Sequence, residues 1–246
     1  MQFKRLMIAL LAVAACADDP TAPDSPTPPS PSEDPAGHYA GERTYRVTIY
    51  NLTDGQPLTP PIVAAHRGGL RIFSPGRTAS EGITQLAENG NGAPLLAYLE
   101  GEPRVYSIAT AGAPVLPHGF LSLDIVAGHE ATRLSWASML ICTNDGFTGL
   151  RGIRLPTHVG QKKTRVVGGY DAGTGINTED FSDIVPPCPL LTGIDTDKEG
   201  TGMSDPALAQ GGRIRHHRGI QGGADLLASV HGWRGPVARV VVERLS

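Results

Sequence analysis

Residues 138–183 read SMLICTNDGFTGLRGIRLPTHVGQKKTRVVGGYDAGTGINTEDFSD and are the most informative stretch of the chain. Two loops rich in Asn, Asp, Thr and Gly are separated by strand-like residues that alternate in character. Asp145 leads the acidic residues of the first loop, and Asp171 leads those of the second. No other part of the globular region concentrates oxygen-bearing side chains in this way. We therefore expect the two loops to be neighbours at one end of a β-sandwich.

The composition of the whole chain favours the same fold class. Of its 246 residues, 31 are Gly and 21 are Pro, and aromatic residues make up only 5%. Such a composition is typical of many short strands joined by turns rather than of long helices. The formal net charge of -3 argues against nucleic acid as a partner, because nucleic-acid binding requires a surplus of basic side chains.

Alternating and β-rich segments predict about eight strands, which suits an antiparallel two-sheet β-sandwich. The segments read as strands are 45–50, 62–65, 70–73, 105–109, 120–126, 131–140 and 237–245. The last of them is rich in Val, so we expect it in the centre of a sheet. Two short helices, 79–89 and 93–99, are expected to cover one side or end of the sheets. Thr78 and Glu81 have the spacing of a capping box for the first helix.

The first 16 residues resemble a removable bacterial lipoprotein signal. Lys4 and Arg5 precede a short apolar run, Leu6–Ala15, which is too short to span a bilayer. The run ends in Val-Ala-Ala-Cys, so we expect cleavage before Cys16 and lipidation of its thiol, which would anchor the protein to a membrane. The location predicted is the bacterial cell envelope, with the outer membrane or surface favoured. The alternative is an ordinary signal peptide in which Cys16 is incidental.

Residues 17–37 are predicted to be a linker, and residues 38–246 a single domain. The linker sequence ADDPTAPDSPTPPSPSEDPAG contains acids as its only charged residues and no apolar side chain larger than Ala or Pro. Such a segment cannot bury enough apolar surface to fold. The remaining residues suffice for one domain with its own core.

Cys142 and Cys188 are the two cysteines left beside Cys16. A pair of cysteines in an exported protein favours a disulfide. Two buried free thiols are the alternative. Neither cysteine belongs to a CxxC or similar ligand pair, so the sequence does not support a zinc-type site.

The acidic loops are candidates for a calcium site, because calcium takes six to eight oxygen ligands from carboxylates, carbonyls and water. Gly residues follow both Asp145 and Asp171, and they allow the backbone to turn its carbonyl groups toward an ion. Further oxygen donors in the two loops are Asn144, Asn177, Glu179 and Asp180. The alternative is that all of these are solvated turn residues, since Asn, Asp and Gly are common in turns.

Several segments, in order along the chain, resemble the spondin domain, the amino-terminal module of F-spondin and mindin, in a bacterial lipoprotein form. The matching segments are YRVTIYNLTDGQP at 45–57, ASEG at 79–82, LAE at 86–88, SML at 138–140, NDGF at 144–147, GL at 149–150, YDAGT at 170–174 and GPVARV at 235–240. In order along the chain, they extend from one end to the other of residues 44–244. The resemblance implies a β-sandwich similar to a C2 domain, with calcium held by loops at one end.

The resemblance also assigns roles to individual residues. Asp145 matches the acid of the family's first loop, and Asp171 matches the first acid of the second loop. Gly175 stands where the family has a second acid in that loop. This departure removes one carboxylate and leaves only a backbone carbonyl. Asn177 or Glu179 would then have to compensate.

The resulting functional expectation is a non-catalytic, calcium-binding adhesion or recognition module on a lipid anchor. We expect a monomer whose partner is a protein, a glycan or a matrix component. The alternatives are a hydrolase-type envelope enzyme and a purely structural envelope protein. The chain contains no G-x-S-x-G segment and no HExxH segment, so an enzyme is not expected.

A local basic cluster, RIRHHR at 213–218, is the other conspicuous feature. We interpret it as a solvated loop. The alternative is a site for an anionic headgroup or a sugar.

Overall fold

The structure is a computed structural model that describes residues 41–198 and 200–246. The predicted signal peptide, the lipidation of Cys16 and the linker at 17–37 lie outside the described residues. Within them, no helix is both long enough and apolar enough to traverse a lipid bilayer.

Two antiparallel sheets form the domain. The strands are β1 (Arg43–Asn51), β2 (Ile62–His66), β3 (Val105–Thr110), β4 (Phe120–Ala127), β5 (Arg133–Met139), β6 (Gly146–Arg154), β7 (Lys162–Val167), β8 (Gly169–Asp171), β9 (Arg215–His216) and β10 (Ala238–Arg244). The order is β4-β1-β10-β7 in the four-stranded sheet and β3-β2-β5-β6-β8-β9 in the six-stranded sheet. The predicted fold class, an all-β antiparallel two-sheet sandwich, is confirmed.

The core between the sheets follows from alternation along the strands. Tyr45, Val47 and Ile49 of β1 are fully buried, whereas the residues between them are more exposed. In β10 the buried set includes Val240 and Val242. Because β10 lies between β1 and β7, its predicted central position is confirmed.

Two helices cover the other face of the six-stranded sheet. They are α1 (Glu81–Asn89) and α2 (Ala93–Glu100), and they enclose a second apolar core with that sheet. Every residue of β2 is buried, because the strand has the four-stranded sheet on one face and the helices on the other. The helix cap differs from the prediction: Ser80, not Thr78, caps α1, because its hydroxyl accepts a hydrogen bond from the Ile83 N–H.

The predicted strand at 70–73 is wrong. Leu70, Ile72 and Phe73 are buried against the helices, but the segment pairs with no strand in the part of the chain described. A short apolar run indicates burial and does not by itself distinguish a strand from a buried connection. Two further short helices, α3 (Pro187–Thr192) and α4 (Ala228–His231), are additional to those predicted.

The topology brings the two acidic loops together. Strand β6 pairs with β5 on one side and with β8 on the other. In the β6–β8 ladder Gly146 is the partner of Asp171, so Asp145 lies directly beside the start of the second loop. The expectation that these two loops are neighbours at one end of a β-sandwich therefore agrees with the register of the sheet.

The packing of α1 on α2 yields a testable prediction at Gly82. A Cβ atom at this position would lie 2.8 Å from the Cα of Leu95. Ala normally stabilises an exposed helix position by up to about 1 kcal/mol relative to Gly. Here we expect Gly82→Ala to lower the free energy of unfolding by about 1–3 kcal/mol, because the helices must separate. Urea denaturation measures the change.

Gly101, at the end of α2, provides the matched control. Its φ is -81°, and an added Cβ would meet no atom closer than 3.5 Å. We expect Gly101→Ala to change stability by less than about 1 kcal/mol. A Gly82→Ala variant as stable as the control would contradict the close helix contact.

Candidate functional site

The first acidic loop is a tight connection, residues 140–145, between β5 and β6. The Thr143 hydroxyl organises it by donating to the Leu140 carbonyl at 2.6 Å and accepting from the Gly146 N–H at 2.9 Å. The turn directs Asp145 into the protein, where it is 0% exposed.

The second loop closes over the Asp145 side chain. Its Oδ2 atom accepts hydrogen bonds from the N–H groups of Thr174 at 2.8 Å and Gly175 at 3.1 Å. The Asp145 carbonyl accepts from the Ala172 N–H at 3.0 Å. The other carboxylate oxygen, Oδ1, is buried and has no hydrogen-bond partner among the described residues. One side chain therefore holds both loops, with half of its acceptor capacity left unused.

Asp171 differs from Asp145 because a cation neutralises it. Its Oδ1 accepts from the Gly173 N–H at 2.8 Å. Its Oδ2 accepts from Asn177 Nδ2 at 3.1 Å and from Arg215 Nε and Nη2 at 3.2 and 3.0 Å. Asp171 is 4% exposed, so this ion pair is shielded on the carboxylate side.

The electrostatics of Asp145 are unfavourable for its charged form. Burial, and then the nearby Asp171 carboxylate, raise the pKa of Asp145 from 3.8 to about 6, although the N–H groups of Gly175 and Thr174 lower it. Glu88, at the end of α1, raises it further. At neutral pH the ionised carboxylate therefore lacks the positive partner that a buried charge requires.

Gly175 contributes to the architecture through its backbone, and Glu179 contributes through its carboxylate. Gly175 approaches Asp145 closely, since an added Cβ would lie 3.7 Å from the Asp145 Cβ. Glu179 has a left-handed backbone with φ 58°. Its Oε1 accepts from the Gln221 N–H at 2.6 Å, and its Oε2 accepts from the N–H groups of Gly222 and Gly223 at 2.7 and 2.9 Å. The Glu179 carboxylate thus orders residues 221–223 instead of facing Asp145.

Two of the predicted ligands, Asp145 and Asp171, retain lone pairs for a hard cation, and so does Thr174, which was not predicted. Asp145 Oδ1 and the hydroxyl of Thr174 are both buried and lack partners within the described part of the chain, so both have lone pairs for an ion. Asp171 Oδ1 accepts one hydrogen bond and keeps a further lone pair. The Nδ2 of Asn177 is directed at Asp171, and both oxygens of Glu179 are occupied by backbone N–H groups. All three groups with unused lone pairs are oxygens, the ligand type that calcium takes.

The predicted disulfide is present. The Sγ atoms of Cys142 and Cys188 are 2.13 Å apart, so the alternative of two free thiols is wrong. The bond ties the first acidic loop to α3 and lies in a small apolar cluster of its own. It also fixes the loop only three residues before Asp145.

His231 lies beside the disulfide but does not complete a metal site. Within residues 41–198 and 200–246, Cys142, Cys188 and His231 are the only three His, Cys, Asp or Glu residues whose ligand atoms lie within 4.8 Å of one another. Both sulfurs are oxidised. His231 Nδ1 accepts from the Leu227 N–H, so Nε2 of the neutral ring bears the hydrogen and cannot bind a metal.

Two cavities flank the acidic loops. One, of about 380 Å³, has a partly apolar wall that includes Ile176, Met203 and Leu208. The other, of about 300 Å³, we call the polar cavity. Its wall includes Asp171, Asn177, Glu179, Arg215, His217 and Arg218.

The interpretation of residues 213–218 as a solvated loop is wrong in part. Arg215 pairs with Asp171, and His217 is only 5% exposed and packs on Trp233 with ring centroids 5.1 Å apart. Burial lowers the pKa of His217 to about 4, so the ring is neutral at physiological pH. The sequence carried no local signal for these contacts, because Arg215 lies 44 residues from its partner and β9 contains two residues.

Comparisons with known proteins do not assign a family to this chain. No protein-family model matches it, and no curated protein does.

The pKa of Asp145 predicts an unusual pH dependence for the metal-free domain. The folded state binds the Asp145 proton more tightly than the unfolded state, so the contribution to stability is present below about pH 4 and is lost as pH rises to about 6. With a chelator present, we expect the ionisation of Asp145 to lower the free energy of unfolding by up to about 3 kcal/mol at pH 7 relative to pH 4. Denaturant unfolding at each pH measures it.

Asp145→Asn is the matched variant for this measurement. It retains an oxygen for the N–H groups of Thr174 and Gly175 but does not titrate. The difference between the two proteins should grow with pH in favour of the variant. If the free energy of unfolding depends on pH in the same way for both proteins, Asp145 is not a buried carboxylate with an unbalanced charge.

Replacing the disulfide tests its contribution to the loop. The two cysteines are 46 residues apart, for which the chain-entropy model gives roughly 4 kcal/mol. We expect the Cys142→Ser/Cys188→Ser variant to unfold at a correspondingly lower guanidinium concentration. Wild-type protein under reducing conditions should behave like the variant, and a variant as stable as oxidised wild type would refute the role of the bond.

Proposed function

We propose that this protein is a calcium-stabilised, non-catalytic recognition module of the spondin type. In this proposal the module is anchored through lipidated Cys16 in the bacterial cell envelope and binds a protein, glycan or matrix ligand as a monomer. The observation that best supports calcium is the fully buried Asp145 carboxylate, whose Oδ1 has no partner among the described residues.

The proposed role of the cation is structural. When bound, calcium supplies the positive charge that Asp145 lacks. The residues of this chain that would hold it are Asp145, Asp171 and Thr174. Because Asp145 and Asp171 lie on adjoining loops, neutralising them together would strengthen the contact between the loops. The end of the sandwich would then be a rigid surface for recognition.

The surroundings of His66 are consistent with a non-catalytic role. His66 Nε2 lies 2.8 Å from the Ser135 hydroxyl, which is the kind of contact that activates a serine nucleophile. Both residues are 0% exposed, and the Ser135 hydroxyl also accepts from the Gly152 N–H at 2.8 Å. No substrate can reach this hydroxyl, so the pair is better explained as a satisfied core interaction.

Titration with calcium tests the proposal. We expect saturating calcium to raise the melting temperature of wild type by roughly 5–10 °C, which corresponds to about 2.7 kcal/mol at 100 times the dissociation constant. Asp145→Asn should abolish both the shift and the calorimetric binding signal. Asp171→Asn should weaken both, since it removes the second carboxylate.

Asp205→Asn is the control for general charge effects. Asp205 is exposed, lines the neighbouring cavity and caps the Ala207 N–H at 2.8 Å. This variant should bind calcium as wild type does. If wild type binds no calcium, or if Asp145→Asn binds it normally, the metal part of the proposal fails.

A further inference from the structure

The polar cavity has a wall without a single apolar side chain. Its side chains are Asp, Asn, Thr, Glu, Arg, His and Gln, and the remaining lining residues are glycines. Most ligand pockets are predominantly apolar with a few polar groups. Every lining side chain ends in a polar group, so a ligand that carries several hydrogen-bonding groups matches the wall better than a lipid tail does.

The two carboxylates of this wall are already used within the protein. Glu179 accepts three backbone N–H groups, and Asp171 accepts from Gly173, Asn177 and Arg215. Glu179 is therefore not available to a further ligand, and the remaining lone pair of Asp171 Oδ1 is the one proposed above to bind calcium. Among the described residues of the wall, the charged side chain without a partner is that of Arg218.

The unused groups of the wall are mainly hydrogen-bond donors. His217 Nδ1 accepts from the Gly219 N–H at 3.0 Å, so the neutral ring bears its hydrogen on Nε2, which is buried and has no partner in the described residues. The exposed Arg218 side chain forms no hydrogen bond or ion pair within the described part of the chain. Arg215 binds Asp171 through Nε and Nη2 only, which leaves Nη1.

We propose that the polar cavity binds an acidic sugar, with the oxyanion of the sugar facing the exposed guanidinium groups of Arg218 and Arg215. An oxyanion matches the unused donors, because charge-assisted hydrogen bonds from guanidinium groups are stronger than neutral ones. The hydroxyl groups of a sugar ring match the rest of the wall, where the side-chain oxygens of Asn177 and Gln221 remain as acceptors. The inference rests on the proposed recognition function and names the class of ligand.

Calorimetric titration of the full-length mature protein in calcium tests this inference. The probes are glucuronic acid and galacturonic acid, with glucose and galactose as uncharged counterparts and sodium sulfate as a free oxyanion. We expect the acidic sugars to bind at least tenfold more tightly than both the neutral sugars and sulfate, because only they combine an oxyanion with ring hydroxyl groups.

Two variants address the cavity in different ways. Arg218→Gln removes the free guanidinium. It should lower the affinity for acidic sugars at least tenfold and leave the affinity for neutral sugars unchanged. Gly223→Leu places a side chain in the cavity, since an added Cβ there meets only Glu179 Oε2, at 4.0 Å, and the residue does not have a positive φ. This variant should abolish binding. Arg154→Gln changes the same charge at an exposed position of β6 away from the cavity and should bind as wild type does.

The outcomes separate this inference from the proposed function. Equal affinity for acidic and neutral sugars, sulfate binding as tight as that of the acidic sugars, no sugar binding at all, or normal binding by Arg218→Gln would each overturn the cavity assignment. The calcium-induced shift in melting temperature is measured in the same samples and should persist in Arg218→Gln. Its presence without sugar binding would refute the sugar site alone, whereas its absence would refute the calcium claim.

Discussion

The end of this sandwich depends on one buried carboxylate. Asp145 joins two loops by accepting the N–H groups of Thr174 and Gly175, and the sheet register places it beside Asp171. The hydrogen bonds that join the loops are thus formed, but the negative charge of Asp145 has no positive partner among the described residues. A buried carboxylate with an unpartnered oxygen either retains a proton or attracts a cation, and the raised pKa expresses this competition in the absence of metal.

The two carboxylates of the site differ in whether a basic side chain balances their negative charge. Asp171 obtains its positive charge from Arg215, which the short strand β9 brings alongside β8. Asp145 has no basic side chain of its own among the described residues near it, and Glu88 adds a further negative charge. As a result, within the described part of the chain, the region near Asp145 lacks a positive charge, whereas the polar cavity has hydrogen-bond donors that no protein group uses. The disulfide and the ladder between β6 and β8 hold these two regions in a fixed relation.

The fold could be predicted from the sequence where local pattern and burial agree. The alternation of Tyr45, Val47 and Ile49 and the Val-rich final strand identified β1 and β10, and the cysteine pair was confirmed. The apolar run at 70–73 failed because it is buried by helices without strand pairing. The contacts of Glu179 with the N–H groups of residues 221–223, and of Arg215 with Asp171, could not be predicted, since tertiary folding alone brings them together. Proximity in sequence points to Asn177 and Glu179 as ligands, whereas in the fold their side chains have other partners and the Thr174 hydroxyl is left unpaired among the described residues.

The most direct test of the central claim is a crystal structure grown with calcium, followed by replacement with a lanthanide for anomalous scattering. The account predicts an anomalous peak bonded to Asp145 Oδ1, with oxygens of Asp171 and Thr174 at calcium-like distances of about 2.3–2.6 Å. A map without a peak at this position, in which Asp145 Oδ1 contacts only protein or water, would contradict it.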